Sequence, residues 1–282
     1  MKIGVVADCF KTSVPDAIKK AAALGLDGVQ IYATTGEFSP AMSKEEREYY
    51  KSLLAGCGLT LSALCGDMGG HGFEIAEDNV TKIPAEMAVI DLAAEFGCPV
   101  VTTHIGVIPD DENCPRYSVM LEALDRLGLY AKERGVTLAI ETGPESAKTL
   151  KKFIESTHGG VGVNLDPANF VMVTGQDPVE AVMLLRDHIV HTHAKDGIML
   201  RRVDPKIIYD HFADGGIEAL NVADYFIETR LGEGRVDFPA YLAALRDIGY
   251  SGYLTIERET GADPSADIAA AADFLRKALK KI

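Results

Sequence analysis

The 282-residue sequence lacks the features that would place it in several specialised classes. It has no Cys-x-x-Cys pair. Its five cysteines, Cys9, Cys57, Cys65, Cys98 and Cys114, are odd in number and scattered. That pattern argues against a disulfide framework or a zinc knuckle and fits a reducing compartment. No uninterrupted apolar run approaches the roughly 18 residues that a membrane span requires. The opening MKIGVVADCF enters a strand-like run without the charged-then-apolar pattern of a signal peptide, so a cytoplasmic location is expected. Gly (27) and Pro (12) are not in excess, and no low-complexity tract interrupts the chain, which argues against disorder. Positive charge is scarce: 28 Lys and Arg stand against 42 Asp and Glu, a formal charge of −14. Such a surface repels nucleic acid but not a small neutral sugar or polyol.

What remains is a chain with 47% hydrophobic residues and the length of one α/β barrel, which typically takes about 250 residues. Short β-branched runs alternate with longer helical patterns. Strands are predicted over residues 2–7, 28–33, 59–67, 99–106, 137–143, 161–169, 189–196 and 252–259. Helices are predicted over 15–24, 44–55, 84–96, 118–134, 145–156, 178–186, 239–247 and 264–280. Stretches such as "ALGLDGVQIY", "ERGVTLAIE" and "DIGYSGYLTIE" end a helix on Gly and run into an apolar strand. Several helices open with Pro in the first turn. The alternation predicts a parallel sheet closed into a single-domain (β/α)8 TIM barrel over 1–282, with an open doubly wound sheet as the alternative. Residues 197–234, containing "RRVDPKIIYDHFADGG", are too long for an ordinary βα loop and are expected to form a lid or an oligomer contact, the chain forming a dimer or tetramer.

Barrel active sites lie at the C-terminal ends of the strands. There, "AIETG" supplies Glu141, "VNLDPAN" Asp166, "VHTHAKD" His193 and "LTIERE" Glu257. Side-chain alternation puts each of the four on the face opposite its strand's large apolar residues, hence toward the barrel mouth, with Ala139, Asn164, His191 and Thr255 one layer beneath. Three carboxylates and one imidazole form an oxygen-rich set suited to one divalent ion, Mn²⁺ first, with Mg²⁺, Co²⁺ or Zn²⁺ as alternatives. Such an ion would polarise a carbonyl beside a hydroxyl and stabilise an enediolate. His104, at the end of the fourth strand, also points inward and is a candidate substrate contact. So are Lys195, Arg258 if its strand ends there, and His71 in the loop "GDMGGHGFE". Glu145 reads as a first-turn helix charge close to the metal, and His191 as a packed residue of the second layer.

The stretches "LGEGRVDFPAYLAALRDIGYSGYLTIERE", "NLDPANF" and "HTHAKD" resemble the xylose isomerase-like TIM-barrel group of sugar isomerases and epimerases. That group includes tagatose and psicose 3-epimerases and inositol-catabolism enzymes. The resemblance covers essentially the whole chain. It implies that Glu141, Asp166, His193 and Glu257 bind the metal and that Glu141 and Glu257 also move a proton on opposite faces of a sugar, sugar-phosphate or keto-polyol substrate. Asn169 stands where the ketohexose epimerases of the group carry a substrate-binding histidine. The activity expected is isomerase or epimerase. A lyase acting on a keto-inositol or dehydroshikimate is the alternative, since it needs only a leaving group beside the same enediolate. A non-catalytic sugar-binding subunit and a DNA-repair enzyme like endonuclease IV fit less well. The latter needs extra metal ligands and a basic face, whereas His71, His158, His188 and His211 lie outside the inward strand ends and the charge is −14.

Overall fold

The structure, a computed structural model, describes residues 1–216 and 220–282. Eight parallel strands close into a barrel: β1 (Lys2–Val6), β2 (Gly28–Tyr32), β3 (Thr60–Cys65), β4 (Val100–Thr103), β5 (Thr137–Glu141), β6 (Val161–Leu165), β7 (Ile189–Ala194) and β10 (Tyr253–Ile256). They pair in the cyclic order β1, β10, β7, β6, β5, β4, β3, β2. Eight helices lie between or after these strands: α1 (Val14–Ala23), α2 (Lys44–Cys57), α3 (Ala76–Glu95), α4 (Pro115–Glu133), α5 (Ala147–Glu155), α7 (Pro178–Leu185), α9 (Phe238–Asp247) and α10 (Pro264–Leu279). A short helix, α6 (Pro167–Asn169), follows β6. No helix among the described residues is long and apolar enough to cross a membrane.

Local chemistry explains the boundaries. Ser43 caps α2 in a reciprocal capping box with Glu46, and Gly58 at φ 67° ends that helix in the left-handed conformation. Asp177, Asp204, Asp237 and Asp263 each cap a helix that carries Pro in its first turn. The strands are the expected ones, shortened at their C-terminal ends. The largest difference among the helices is α3, which starts at Ala76 and not at Pro84, which lies inside it. Pro is favoured at a helix start, but here the two preceding turns are held by packing. Ile83 is buried, and Asn79 Nδ2 donates to the carbonyl of Phe73 at 3.0 Å. Tertiary contact outweighs the proline's missing donor.

The barrel has two interiors. Its shell, between strands and helices, is one continuous apolar core. Inside the strands, Ala63, Val100 and Ala139 form a separate small cluster. Above them lies a polar layer, in which His191 contacts Asn164 Oδ1 through Nδ1 at 2.9 Å and Thr255 Oγ1 through Nε2 at 2.9 Å. His191 is thus a packed second-layer residue, and burial, then the neighbouring His193, push its imidazole well below its usual range.

The segment 197–234 is folded. β8 (Asp196–Met199) pairs antiparallel with β9 (Phe226–Thr229), and α8 (Pro205–Ala213) lies between them; residues 217–219 fall outside the described part. Asp196, which the sequence had placed in the seventh strand, is buried and begins this second sheet. Its carboxylate accepts N–H bonds from Gly232 (2.9 Å), Gly234 (2.9 Å) and Val236 (3.1 Å), which fastens the returning chain. The arm is also tied to the loop after β3: His71 Nε2 lies 3.0 Å from Asp214 Oδ1.

Glu86 on α3 is fully buried against Gly66, and neither carboxyl oxygen meets a partner among the described residues. Burial, then the charge of Asp67, hold its carboxyl well above the usual range. The folded state therefore keeps a proton that the unfolded chain loses near pH 4.5, so this group's contribution to stability falls as pH rises from there toward the folded value. Glu86→Gln removes that dependence. Its melting temperature should exceed that of the wild type by about 2–4 °C at pH 7, with a smaller gap at pH 5. Calorimetric melts at both pH values check this; an equal or inverted gap would show the carboxyl to be ionised in the fold.

Candidate metal centre

Glu141 is the last residue of β5, His193 the fifth of β7, and Asp166 and Glu257 follow the last residues of β6 and β10. All four are buried, at 7%, 1%, 0% and 7% exposure for Glu141, His193, Asp166 and Glu257. One potential ligand atom from each lies within 4.8 Å of all the others. Ladder partners in this arc run Glu141 to Asn164, Asn164 to His191 and His193 to Thr255. The four side chains therefore climb the rungs from β5 to β10. Tilted barrel strands require this climb if side chains are to meet at one height above the axis.

The imidazole sits at the middle of the cluster. His193 Nδ1 is 3.1 Å from Glu257 Oε2, 3.4 Å from Glu141 Oε1 and 3.7 Å from Asp166 Oδ2. On the other side, His193 Nε2 is 3.0 Å from Gln30 Oε1, and Gln30 Nε2 donates to Thr102 Oγ1 at 3.1 Å. Nε2 also lies 3.2 Å from Asn164 Nδ2, so two amides anchor this side of the ring while Nδ1 faces the carboxylates. Asn164 Nδ2 donates to Glu141 Oε2 at 3.3 Å and steadies that carboxylate. Asp166 divides its two oxygens: Oδ1 caps α6 through the N–H groups of Ala168 (2.7 Å) and Asn169 (3.3 Å), and Oδ2 is free to ligate.

The electrostatics are those of crowded acids. Burial, only partly opposed by His193, raises the Asp166 carboxyl. Burial alone would raise Glu257 too, but Lys195 and then His193 hold it well below the usual carboxylate range. Burial opposes charge on His193, yet Glu257 and Glu141 push its imidazole well above its ordinary value. The buried atoms Asp166 Oδ2 and His193 Nδ1 have no hydrogen-bond partner among the described residues. Two orphaned donor atoms facing two further carboxylates fit a divalent cation, which would relieve both the repulsion and the missing bonds. An oxygen-rich set of this kind suits Mn²⁺, Mg²⁺ or Co²⁺.

The remaining candidates from the sequence divide. His104 lies beside the cluster, its Nε2 3.7 Å from Glu141 Oε1 and its Nδ1 3.2 Å from Asp67 Oδ2. Burial opposes its charge, but Glu141 and then Asp67 push the imidazole up to about 10; the side chain is 34% exposed, so solvent screens part of that effect. Lys195 is buried and donates to Glu257 Oε2 at 3.2 Å and also to Glu259, which places it beside the cluster. Asn169 turns its amide to the carbonyl of Thr142 at 2.9 Å. Arg258 engages Glu228 Oε1 at 2.6 Å and Asp267 Oδ2 at 2.9 Å, tying β9 and α10 to the strand end. His71 joins the arm, as described above.

Glu145 differs from its expected place. It lies before α5, which starts at Ala147 with Ser146 as cap, and it is buried. The reading of the sequence missed Gln30 altogether. Its only signal was an amide in the middle of an otherwise apolar strand, "GVQIY".

Protein stripped with a chelator should bind one Mn²⁺ per chain in a calorimetric titration. Gln30→Leu should weaken that binding by about 10–100-fold, the usual effect of losing an outer-shell partner. Asp166→Ala and His193→Ala should weaken it further while the far-ultraviolet circular dichroism stays that of the wild type. Unchanged Mn²⁺ affinity in the two alanine variants would remove these residues from the ligand set.

The chain is similar to several known proteins. An inosose dehydratase of Clostridium perfringens (strain 13 / Type A) is 25% identical over 174 residues, 60% of this chain and 55% of that protein. The chain thus spans little more than half the length of that relative. A 3-dehydroshikimate dehydratase of Pseudomonas putida is 24% identical over 263 residues, 91% of this chain and 38% of that protein. Among solved structures, a xylose isomerase domain protein from Planctomyces limnophilus superposes with a TM-score of 0.78 at 27% identity, covering 100% of this chain and 97% of that one. The model of the xylose isomerase-like TIM barrel family matches residues 18–278. A closed eight-stranded barrel and a family match over nearly its full length give one assignment: the chain belongs to the xylose isomerase-like TIM barrel family.

Proposed function

We propose that the chain is a divalent-metal-dependent isomerase or epimerase that moves a proton next to the carbonyl of a small sugar or polyol ketone. The observation that carries this reading is the pair of glutamates flanking one point: Glu141 Oε1 and Glu257 Oε2 approach His193 Nδ1 at 3.4 and 3.1 Å from strands β5 and β10. A divalent ion held by the quartet would polarise the substrate's oxygen and acidify the adjacent C–H. The residues do the rest. One glutamate removes the proton from the carbon beside the carbonyl, and the other returns a proton to the neighbouring carbon or the opposite face. Lys195, 3.2 Å from Glu257, keeps that carboxylate ionised and places an ammonium where charge gathers on a substrate oxygen. His104, steadied by Asp67, stands beside Glu141 as the hydrogen-bonding group for another substrate oxygen.

A second reading is a dehydratase, favoured by the two curated relatives, both named as dehydratases. It shares the first step; the electron pair left by the proton then breaks the C–O bond on the next carbon, and the departing hydroxyl takes a proton from the acid form of a site glutamate and leaves as water.

Glutamine keeps a ligating oxygen but cannot accept a proton. Glu141→Gln and Glu257→Gln should therefore lose about 10²–10⁴-fold in turnover even at saturating Mn²⁺. In heavy water the wild type should exchange a substrate C–H for deuterium, read by NMR. Recovery of both variants by excess metal would reduce the glutamates to ligands, and turnover without exchange would point to a hydride shift. Retained or lost water in the product separates the two readings.

A further inference from the structure

A second group of polar side chains lies beside the metal centre. Glu145, between β5 and α5, is 6% exposed, and its Oε1 meets no partner among the described residues. Burial pushes its carboxyl up to about 7, against the pull of N–H groups in its own loop and of His104. Tyr209 arrives from α8 on the arm. Its hydroxyl packs so closely on Gly143 that a Cβ there would collide with it, and its ring lies 6.4 Å from that of His104. Burial, then Glu145 and Glu141, raise the phenol well above its usual range. A carboxyl with one unpartnered oxygen and a phenol, from separate elements, thus lie on the β4–β5 side of the mouth.

The cations around them are already engaged. Lys195 holds Glu257 and Glu259, His104 lies between Asp67 and Glu141, and Arg258 holds Glu228 and Asp267. On the arm, Lys206 holds Asp210. The three carboxylates of the quartet carry one more negative charge than a divalent ion cancels. An anionic group entering here meets cations already paired with carboxylates, and a further carboxyl, Glu145, with one oxygen unpartnered. A hydroxyl, donor and acceptor at once, satisfies both Glu145 and Tyr209.

We infer that this mouth selects an uncharged substrate, a ketose or cyclic keto-polyol with free hydroxyls anchored by Glu145 and Tyr209, and rejects one bearing a carboxylate or phosphate. The inference rests on the proton-transfer reading only for the position of the carbonyl at the metal. It makes Glu145 and Tyr209 specificity residues, and it gives the folded arm a place in the site through Tyr209.

The test compares matched ketones on Mn²⁺-loaded protein by titration calorimetry: 2-keto-myo-inositol against 3-dehydroshikimate, and D-tagatose against its 6-phosphate. The neutral member of at least one pair should bind about ten-fold more tightly than the anion. Glu145→Gln, which removes the acid but keeps the shape, should tighten the anion by about three-fold or more, closing part of the gap. Tyr209→Phe should weaken the neutral ligand and leave the anion unchanged. Anions that bind as well as their neutral partners in both pairs overturn the inference, as does failure of both neutral ketones to bind; neither outcome depends on a variant folding. Deuterium exchange in the same samples separates the two proposals. Anions that bind as tightly as their neutral partners in both pairs and exchange sink the selectivity and leave proton transfer standing. A neutral ketone that binds without exchange does the reverse.

Discussion

Mutual repulsion of buried charge at one point governs the architecture around it. Glu141, Asp166 and Glu257 bring three carboxyl groups to His193 where little water reaches them. A buried like-charge cluster is costly unless a cation and well-aimed hydrogen bonds offset it. The neighbourhood supplies the hydrogen bonds. Gln30 fixes the imidazole from the far side of the barrel, Asn164 steadies Glu141, and the N–H groups of α6 hold one oxygen of Asp166. Lys195 supplies part of the positive charge from beside Glu257. The atoms left over, Asp166 Oδ2 and His193 Nδ1, are the ones a metal would take.

A site of this kind needs rigid walls, and the barrel provides them beneath and beside it. The interior below the ligands is filled by Ala63, Val100 and Ala139 and then by the hydrogen-bonded set of Asn164, His191 and Thr255. Packing and these hydrogen bonds support the four side chains above from below. The wall on the β4–β5 side is partly borrowed. The arm that leaves at Asp196 brings Tyr209 against Gly143, and its return is clamped by the Asp196 carboxylate and by the Arg258 bridge to Glu228 and Asp267. Arg258 and Asp196 serve the substrate mouth indirectly, by holding the arm in place.

Much of this was legible in the chain itself. Strand alternation and Gly-capped helices are local, so the eight strands and most helices could be read directly, as could the inward phase of Glu141, Asp166, His193 and Glu257. Phase is a two-residue property that needs no knowledge of neighbours. Strand ends were less legible, because residues such as Asp166 and Asp196 suit both a strand end and the cap or turn that follows. Pro84 misled for a related reason: its preference for a helix start is real, and packing of Ile83 and Asn79 overrode it.

Tertiary structure alone decided which groups meet. Gln30 and His193 are 163 residues apart, and nothing local marks the amide as the imidazole's partner. Glu145 looks like a solvated helix charge until α8 and the β5 loop close over it, and Arg258 looks like a mouth residue until Glu228 and Asp267 claim it. The sequence by itself determined the fold and the kind of ligand, since both follow from short-range periodicity and side-chain type. The common height of the four side chains, the anchoring of the His193 ring and the environment of Glu145 depended on strand tilt and on contacts between distant segments, quantities that exist only once the barrel has closed.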